Sequence, residues 1–458
     1  MSIVKSIQAI VGKDNVLTEP SDCWPYGYDN SKRHAQPDAV VFATTHDQIL
    51  HIVQLCNQFK TPLITRGRGT GTTGATVPIT GGIVLTLERM NQITELNGHN
   101  RWLIAEPGVT NEAIQLKAKT QHFFWPPDPT SAAFCTLGGN LAYNSAGPRA
   151  VKYGTTREHV LGLRAITGSG EEIRTGVFTT KGVVGYDLTR LLVGSEGTLA
   201  IITEATLKLT PLPEGKRTIR IDYANMESAA EAVSAIMAQP TTPCALEFID
   251  RNAINMIREY SDSKLPDNLG AMLMVEVDGP VAYLDDMVAD IKTAINHTHP
   301  VQFAIAQTSE EIKALWATRK ALSPALRKVA PKKINEDVVV PVSNIPQLIS
   351  GLDVLSKEHG IKIVNFGHAG NGNIHTNLLV DPDDPKQTQQ IAGCLNAVFD
   401  LVLSLQGTLS GEHGVGLEKR DYIYKELSPT SLRLMHGIKS QFDPNNILNP
   451  DKMLPPNA

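Results

Sequence analysis

Two histidines and a later Glu-His pair carry the most chemistry in this 458-residue sequence. His368 and His375 flank a Gly/Asn cluster within residues 361–380, and Glu412 and His413 stand between Gly411 and Gly414. Apolar and β-branched residues on both sides of the cluster predict two strands and a turn. Asn371-Gly372 is the favoured pair for a two-residue type I′ hairpin, because both central positions need φ > 0. With that pair at the tip, residue 370 pairs with 373, 369 with 374 and 368 with 375. The two imidazoles then oppose each other on one face, with Cβ atoms about 5 Å apart. That spacing suits two ligands of one metal ion, and Glu412 supplies a third. His413 is left for proton transfer. In an extended segment it points away from its neighbour Glu412. Histidines in a buried hairpin are by default satisfied core residues, and on spacing alone that alternative stays open.

A second group of residues is poor in side chain and rich in backbone. Gly69-Thr-Gly-Thr-Thr-Gly74 is a G-x-G-x-x-G behind a short strand at 61–65, but Ala75-Thr-Val-Pro78 is β-branched and broken by proline. A dinucleotide-binding turn must open a helix at that point. The NAD fingerprint fails its context, leaving a glycine-rich loop with Arg66 and Arg68 whose N–H groups can cradle a pyrophosphate. Residues 125–147 and 194–203 continue in small residues, hydroxyls and amides. Such stretches make walls for a flat polar ligand better than they make packed cores.

The elements that must hold these residues are legible in outline. A helix opens at Thr45, with Thr45 and Gln48 as a capping box. A strand follows at 82–87. After Pro211-Leu-Pro213, strands near 217–223, 244–249, 271–277 and 301–306 alternate with helices at 226–238, 252–259, 281–296, 310–328 and 345–358. That pattern predicts an α+β layer with helices packed on one side of a sheet.

Composition narrows the function classes. Apolar content of 41% and charged content of 19% are those of a globular protein with chain enough for two or three domains. A net charge of −5 argues against nucleic acid or anionic membrane as partner. No apolar run approaches the roughly 18 residues of a membrane span, and residues 1–12 lack a signal peptide's apolar region. The cysteines at 23, 56, 135, 244 and 394 form an odd, scattered set, which predicts neither disulfides nor an iron–sulfur site and fits a reducing cytoplasm.

Together these motifs resemble the vanillyl-alcohol-oxidase/PCMH type of flavoprotein and, within it, the FAD-linked D-2-hydroxy-acid dehydrogenases. The resemblance rests on Thr65 to Gly71, Pro126-Pro-Asp-Pro129, Thr136-Leu-Gly-Gly-Asn140 and Gly194-Ser-Glu-Gly-Thr-Leu199. It rests further on the His368/His375 pair, Gly411-Glu-His-Gly414 and Asp443-Pro-Asn-Asn-Ile-Leu-Asn449. It implies an α+β protein in four parts: an N-terminal helical segment (1–35), a PCMH-type FAD-binding domain (36–213), a substrate or cap domain with an antiparallel sheet (214–410), and a C-terminal segment (411–458) returning to the flavin.

The resemblance also implies a set of cofactor contacts. FAD is expected on Arg66, Gly67, Arg68, Gly69, Thr70, Gly71 and Thr72, then on Pro127, Asp128, Ser131, Thr136, Gly138, Gly139, Asn140, Asn144 and Gly147. Gly197, Thr198, Ile201, Ile202 and Asn449 complete that set. A divalent zinc or manganese ion is expected on His368, His375 and Glu412, with His413 as base and Arg319 on the substrate carboxylate. The expected reaction oxidises a D-2-hydroxy acid, D-lactate before D-2-hydroxyglutarate or glycolate. Its electrons pass to a quinone, a cytochrome or an electron-transfer flavoprotein. A homodimer, in the cytoplasm or peripheral at the inner membrane, fits this class.

Three departures from the family pattern refine the expectation. No His stands in the first glycine loop, so FAD attachment is expected to be non-covalent. Asn335 stands where some relatives carry a substrate-contacting lysine, and Lys333 is read as out of phase with it, which counts against a dicarboxylate. Ser323 follows Arg319 by one helical turn, where threonine is common. Two rival functions are a metal hydrolase, which leaves the glycine loops without a role, and a flavin-carrying subunit, which leaves the metal ligands without one.

Overall fold

The computed structural model describes residues 2–260, 265–266 and 268–456, without the side chains of residues 260, 320, 321, 323, 324 and 327. Ser323, singled out in the sequence, therefore has its side chain outside the described residues. The chain forms two units. One comprises residues 1–147, 154–212 and 412–458, and the other residues 148–153 and 213–411.

Among the described residues the first unit contains two larger sheets and a short pair, Phe123–Phe124 with Thr210–Pro211. In one, the strands Ala39–Phe42, Ile83–Thr86 and Leu63–Arg66 run parallel, with the short Val16–Leu17 strand antiparallel at one edge. These strands are apolar on both faces and nearly all buried, as parallel strands covered on both sides must be. The His46–Phe59 helix covers them with Ile49, Ile52, Val53 and Cys56. Its start departs from a capping box: Thr45 Oγ1 accepts from Gln48 N, but Gln48 Oε1 accepts from Thr44 N. The other sheet has five antiparallel strands in the order Ile93–Asn97, Trp102–Ala105, Ala200–Lys208, Val160–Thr167, Glu172–Gly176. The tail returns to this unit by backbone pairing. Leu63 N donates to Ile447 O at 2.7 Å, and Asn449 N donates to Leu63 O at 2.9 Å.

The second unit is a seven-stranded antiparallel sheet. Its order is Gln302–Ile305, Gly215–Tyr223, Ala271–Gly279, Ala245–Asp250, Lys362–His368, Asn373–Val380, Lys332–Val339. Strand period fixes which residues share a face. Phe366, His368, His375, Asn377, Asp337 and Glu247 fall on one side. The Ser309–Val329 helix, opened by a complete capping box at Thr308 and Glu311, packs against part of that side through Leu322, Ala325 and Leu326. The helix Pro385–Ser404, unnoticed in the sequence, packs with Ile345–His359. Among the described residues all five cysteines are free and buried, and no helix is long and apolar enough to cross a membrane.

Candidate functional site

In the first unit a cleft runs between the Leu63–Arg66 strand end, the Leu137–Tyr143 helix and the Ala200–Lys208 strand. Of the residues expected at the flavin, Arg66, Gly67, Thr136, Gly138, Gly139, Gly197, Ile201 and Ile202 line it. Thr136, Gly138 and Gly139 bring the start of that helix to the cleft, and Thr136 caps it, Oγ1 accepting from Gly139 N. No helix follows the first glycine loop, so the dinucleotide turn is absent in three dimensions too.

The glycines are required by proximity. A Cβ on Gly67 would stand 2.4 Å from Thr136 Oγ1, and one on Gly71 would stand 2.7 Å from Tyr143 Oη. Among the described residues, the Thr65 and Tyr143 hydroxyls are buried without a hydrogen-bond partner at the lining of this cleft. Backbone pressed close to an open cleft, with orphaned hydroxyls beside it, fits a ligand as flat and polar as FAD.

Other expected flavin contacts have internal duties. Arg66 is buried, and its guanidinium donates to Tyr28 O at 2.5 Å, so only Arg68 of the pair is exposed. Asn144 ends its helix at φ +50° and accepts from Arg157 N. Asn140 Oδ1 accepts from Asn111 Nδ2, and the Thr198 hydroxyl donates to Ser195 O. Asn449 donates to Glu196 O and accepts from Lys452. A Cβ on Gly147 would meet Asp128 at 2.6 Å. Gly69, at φ +64°, lies against the Arg66 guanidinium, and Asn30 donates to Thr70 O and Gly71 O. Thr72, Pro127, Asp128 and Ser131 do not line the cleft. Glu196, buried at its floor, was not read from the sequence as functional. Burial pushes its carboxyl up to about 7 against the lowering pull of the Val415 and Gly416 N–H groups.

In the second unit the histidine hairpin forms with a register other than the one its sequence predicts. His368 pairs with Asn373, and Phe366 pairs with His375. Residues 369–371 make a 3-10 turn, and Gly372 at φ +74° ends it. Asn371 is not left-handed, so the two-residue turn is wrong and the loop has four residues. The cause is tertiary. Val340 N donates to Gly372 O at 3.1 Å, and a Cβ on Gly372 would stand 1.8 Å from Val340 O. His368 and His375 are therefore diagonal neighbours on the same face instead of direct opposites, with ring centroids 5.2 Å apart.

The neighbouring strand positions what comes next. Asp337 pairs with His375 and accepts from Gly411 N through both its backbone oxygen (2.9 Å) and Oδ2 (3.0 Å). Glu412 follows directly. His368, His375 and Glu412 each offer a ligand atom, all within 4.8 Å of one another, and His413 is not in the group. Residues 411–413 are bent, so strand alternation is not what separates Glu412 from His413. Two imidazole nitrogens and a carboxylate oxygen suit zinc or manganese by donor chemistry.

Glu247 is the residue sequence reasoning missed here. Ile249 pairs with Phe366, and continuing that register brings Glu247 to His368. Its Oε1 lies 2.5 Å from His368 Nδ1, and its Oε2 accepts from Arg319 Nε at 2.6 Å. Burial pushes the Glu247 carboxyl up, but His368 and Arg319 outweigh it and hold it below the usual range. Arg319, by default a solvated helix residue, is mostly buried and lies over the Phe366 ring at 4.8 Å. The available signal was an acid in an otherwise apolar buried strand, Ala245-Leu-Glu-Phe-Ile. Lys333 also needs correction: it shares the face of Asn335 and Asp337, because residues two apart in a strand point the same way.

Comparison with known proteins now bears on these two sites. Residues 212–453 match the family model of FAD linked oxidases, C-terminal domain, and residues 37–176 match the FAD binding domain. The chain belongs to the FAD-linked oxidase family. It is 38% identical to glycolate oxidase subunit GlcD of Bacillus subtilis (strain 168) over 94% of this chain and 92% of that protein. It is 34% identical to D-lactate dehydrogenase of Anaerostipes hadrus, covering 92% and 90%. Identity to D-2-hydroxyglutarate dehydrogenase of Stutzerimonas stutzeri (strain A1501) is 30%, covering 99% and 98%. The fold is that of p-cresol methylhydroxylase, with a TM-score of 0.82 at 18% identity over 100% of this chain and 97% of that one. This FAD-linked oxidase is thus an FAD-dependent oxidoreductase of the D-2-hydroxy-acid dehydrogenase and glycolate oxidase type, with a PCMH-type FAD-binding domain.

Proposed function

We propose that the protein oxidises a small D-2-hydroxy acid, D-lactate first, to the 2-oxo acid, with a divalent metal on His368, His375 and Glu412. The observation that carries this reading is the buried Glu247 carboxylate shared by His368 and Arg319. It holds His368 Nδ1 so that Nε2 is left for the metal, the usual arrangement behind a metal-bound histidine. It also fixes the guanidinium that receives the substrate carboxylate, which orients the Cα–H bond. A metal held by His368, His375 and Glu412 would supply a Lewis acid for the substrate hydroxyl, and FAD held in the first unit's cleft would supply the hydride acceptor. His413 accepts the hydroxyl proton. The acceptor that reoxidises the flavin is a quinone, a cytochrome or an electron-transfer flavoprotein rather than NAD, since the G-x-G-x-x-G opens no helix.

A neutral amide at Asn335, its Oδ1 buried without a partner among the described residues, offers a second substrate carboxylate no counter-charge and supports a monocarboxylate. Lys333 on the same face supports the second reading, D-2-hydroxyglutarate. A panel of D-lactate, glycolate and D-2-hydroxyglutarate with an artificial dye acceptor separates them. Highest kcat/KM on D-2-hydroxyglutarate, lost in Lys333→Ala, would replace the first reading by the second. FAD is held without a covalent bond in this proposal, so acid precipitation leaves a colourless pellet and yellow supernatant. Colour retained on the denatured chain contradicts it.

A further inference from the structure

The segment that follows His413 is gripped through its backbone. Val415 N donates to Glu196 Oε1 at 2.6 Å, and Gly416 N donates to Glu196 Oε2 at 2.8 Å. Leu417 N and Glu418 N both donate to Thr73 O, at 2.7 and 3.3 Å. Four consecutive N–H groups are thus accepted by two residues, one from the floor of the cleft and one from the first glycine loop. The fit leaves no room for side chains: a Cβ on Gly414 would stand 2.7 Å from Glu196 Oε1, and one on Gly416 would stand 2.3 Å from Thr73 O.

Glu196 is itself held on every side. It takes φ +52°, an uncommon backbone for a residue with a side chain, between Gly194 at φ +90° and Gly197 at φ +70°. Its N–H donates to Ala142 O at 2.9 Å, and its carbonyl accepts from Asn449 Nδ2 at 2.8 Å. Only 5% of the residue is exposed. A left-handed residue in this turn is ordinarily glycine or asparagine, and a glutamate persists where its carboxylate has a partner that the turn alone does not require.

We propose that Glu196 is a positioning residue for His413: its carboxylate, by holding the N–H groups of Val415 and Gly416, fixes where the imidazole two residues earlier stands. The inference rests on His413 being the proton acceptor, as proposed above. A carboxylate is required because both partners are donors. A glutamine would accept from one and turn its own NH₂ toward the other, and an alanine would accept from neither.

The test is a double-mutant cycle on the FAD- and metal-loaded protein, with FAD and metal per chain measured for every variant. Glu196→Ala is expected to keep both cofactors and KM, and to lower kcat about 10–100-fold, part of what a positioned base contributes. In a His413→Ala background the same change should cost little further, because both act on one step. A merely structural role would instead multiply the two losses and change cofactor content. Should Glu196→Ala lose FAD or fail to fold, Glu196→Gln carries the same cycle. Wild-type kcat in Glu196→Gln, or full multiplication with His413→Ala, overturns the positioning role. Normal turnover in His413→Ala alone overturns the base assignment, whatever the Glu196 variants do.

Discussion

Under the proposed function the cleft of the first unit and the histidine face of the second each hold a group the chain cannot make, by opposite means. The cleft works by omission. Its glycines leave out Cβ atoms that would strike Thr136 or Tyr143, and its polar contacts come mainly from backbone and short hydroxyls. The histidine face works by charge. A buried glutamate and two imidazoles stand on paired strands, with a guanidinium on the helix packed against them, and Glu247 neutralises the guanidinium and orients His368. Backbone can approach a large planar ligand along its whole length, whereas a small ion needs a few strong donors at fixed points. The two regions should therefore fail differently, the first by small increases in side-chain volume and the second by losses of charge.

The largest expected break is at the Glu412-His413 pair. Glu412→Ala should lower metal content and, with it, both substrate affinity and turnover. His413→Ala should keep metal and FAD while losing about 10²–10⁴ in turnover, with partial recovery at higher pH. Metal analysis beside steady-state rates decides it, and a His413→Ala protein that loses its metal would reverse the two roles.

A glycine inside the charge-built region sharpens the contrast. Gly372→Val places a β-branched residue at φ +74° and into Val340 O, at a cost of about 2–4 kcal/mol, and should cut metal content without touching a ligand. Asn371→Val, at an exposed site without left-handed backbone, should bind metal as the wild type does. Equal metal content in the two variants would show that the turn does not control the histidines.

In the cleft, Gly71→Ala should leave the metal in place and weaken FAD binding by about 1–3 kcal/mol of overpacking, roughly tenfold or more. Tyr143→Phe removes the hydroxyl the new methyl meets, so the double variant should recover part of the affinity. FAD titration by flavin fluorescence reads both, and no recovery would mean the clash lies elsewhere.

The smallest effect concerns pH. Asp250, fully buried on the opposite face of the sheet and accepting from Ala253 and Asn365, is pushed up to about 7 by burial. The folded protein then keeps a proton that the unfolded chain releases near its ordinary 3.8. Its contribution to stability falls as pH rises between those values. Asp250→Asn should flatten the decline of Tm over that window by a few degrees. An unchanged slope would mean the carboxyl is ionised in the fold.

The sequence by itself determined the local matters. The strand and helix positions read between residues 217 and 358 follow the apolar periodicity within a few residues, because amphipathic period is a property of neighbours in the chain. The failed dinucleotide turn was legible for the same reason: β-branched residues and a proline after Gly74 cannot open a helix. The identities of His368, His375 and Glu412 could be read, but not how they meet. That was decided by Val340 pressing on Gly372, which replaced a two-residue turn with a four-residue one and made the histidines diagonal. The partners of Glu247 and Glu196 lay beyond reach of sequence reasoning, even where an acid in an apolar strand marked Glu247 as unusual. Glu247 is 121 residues from the histidine it orients and Glu196 is 219 from the first N–H it holds. A carboxylate in a strand or a turn looks solvated until the fold removes the water around it. Whether Arg319 and Arg66 are surface charges or buried struts is likewise a question of what packs against them. Only the tertiary structure supplies the low-dielectric surroundings that turn an ordinary charged side chain into a fixed, oriented one.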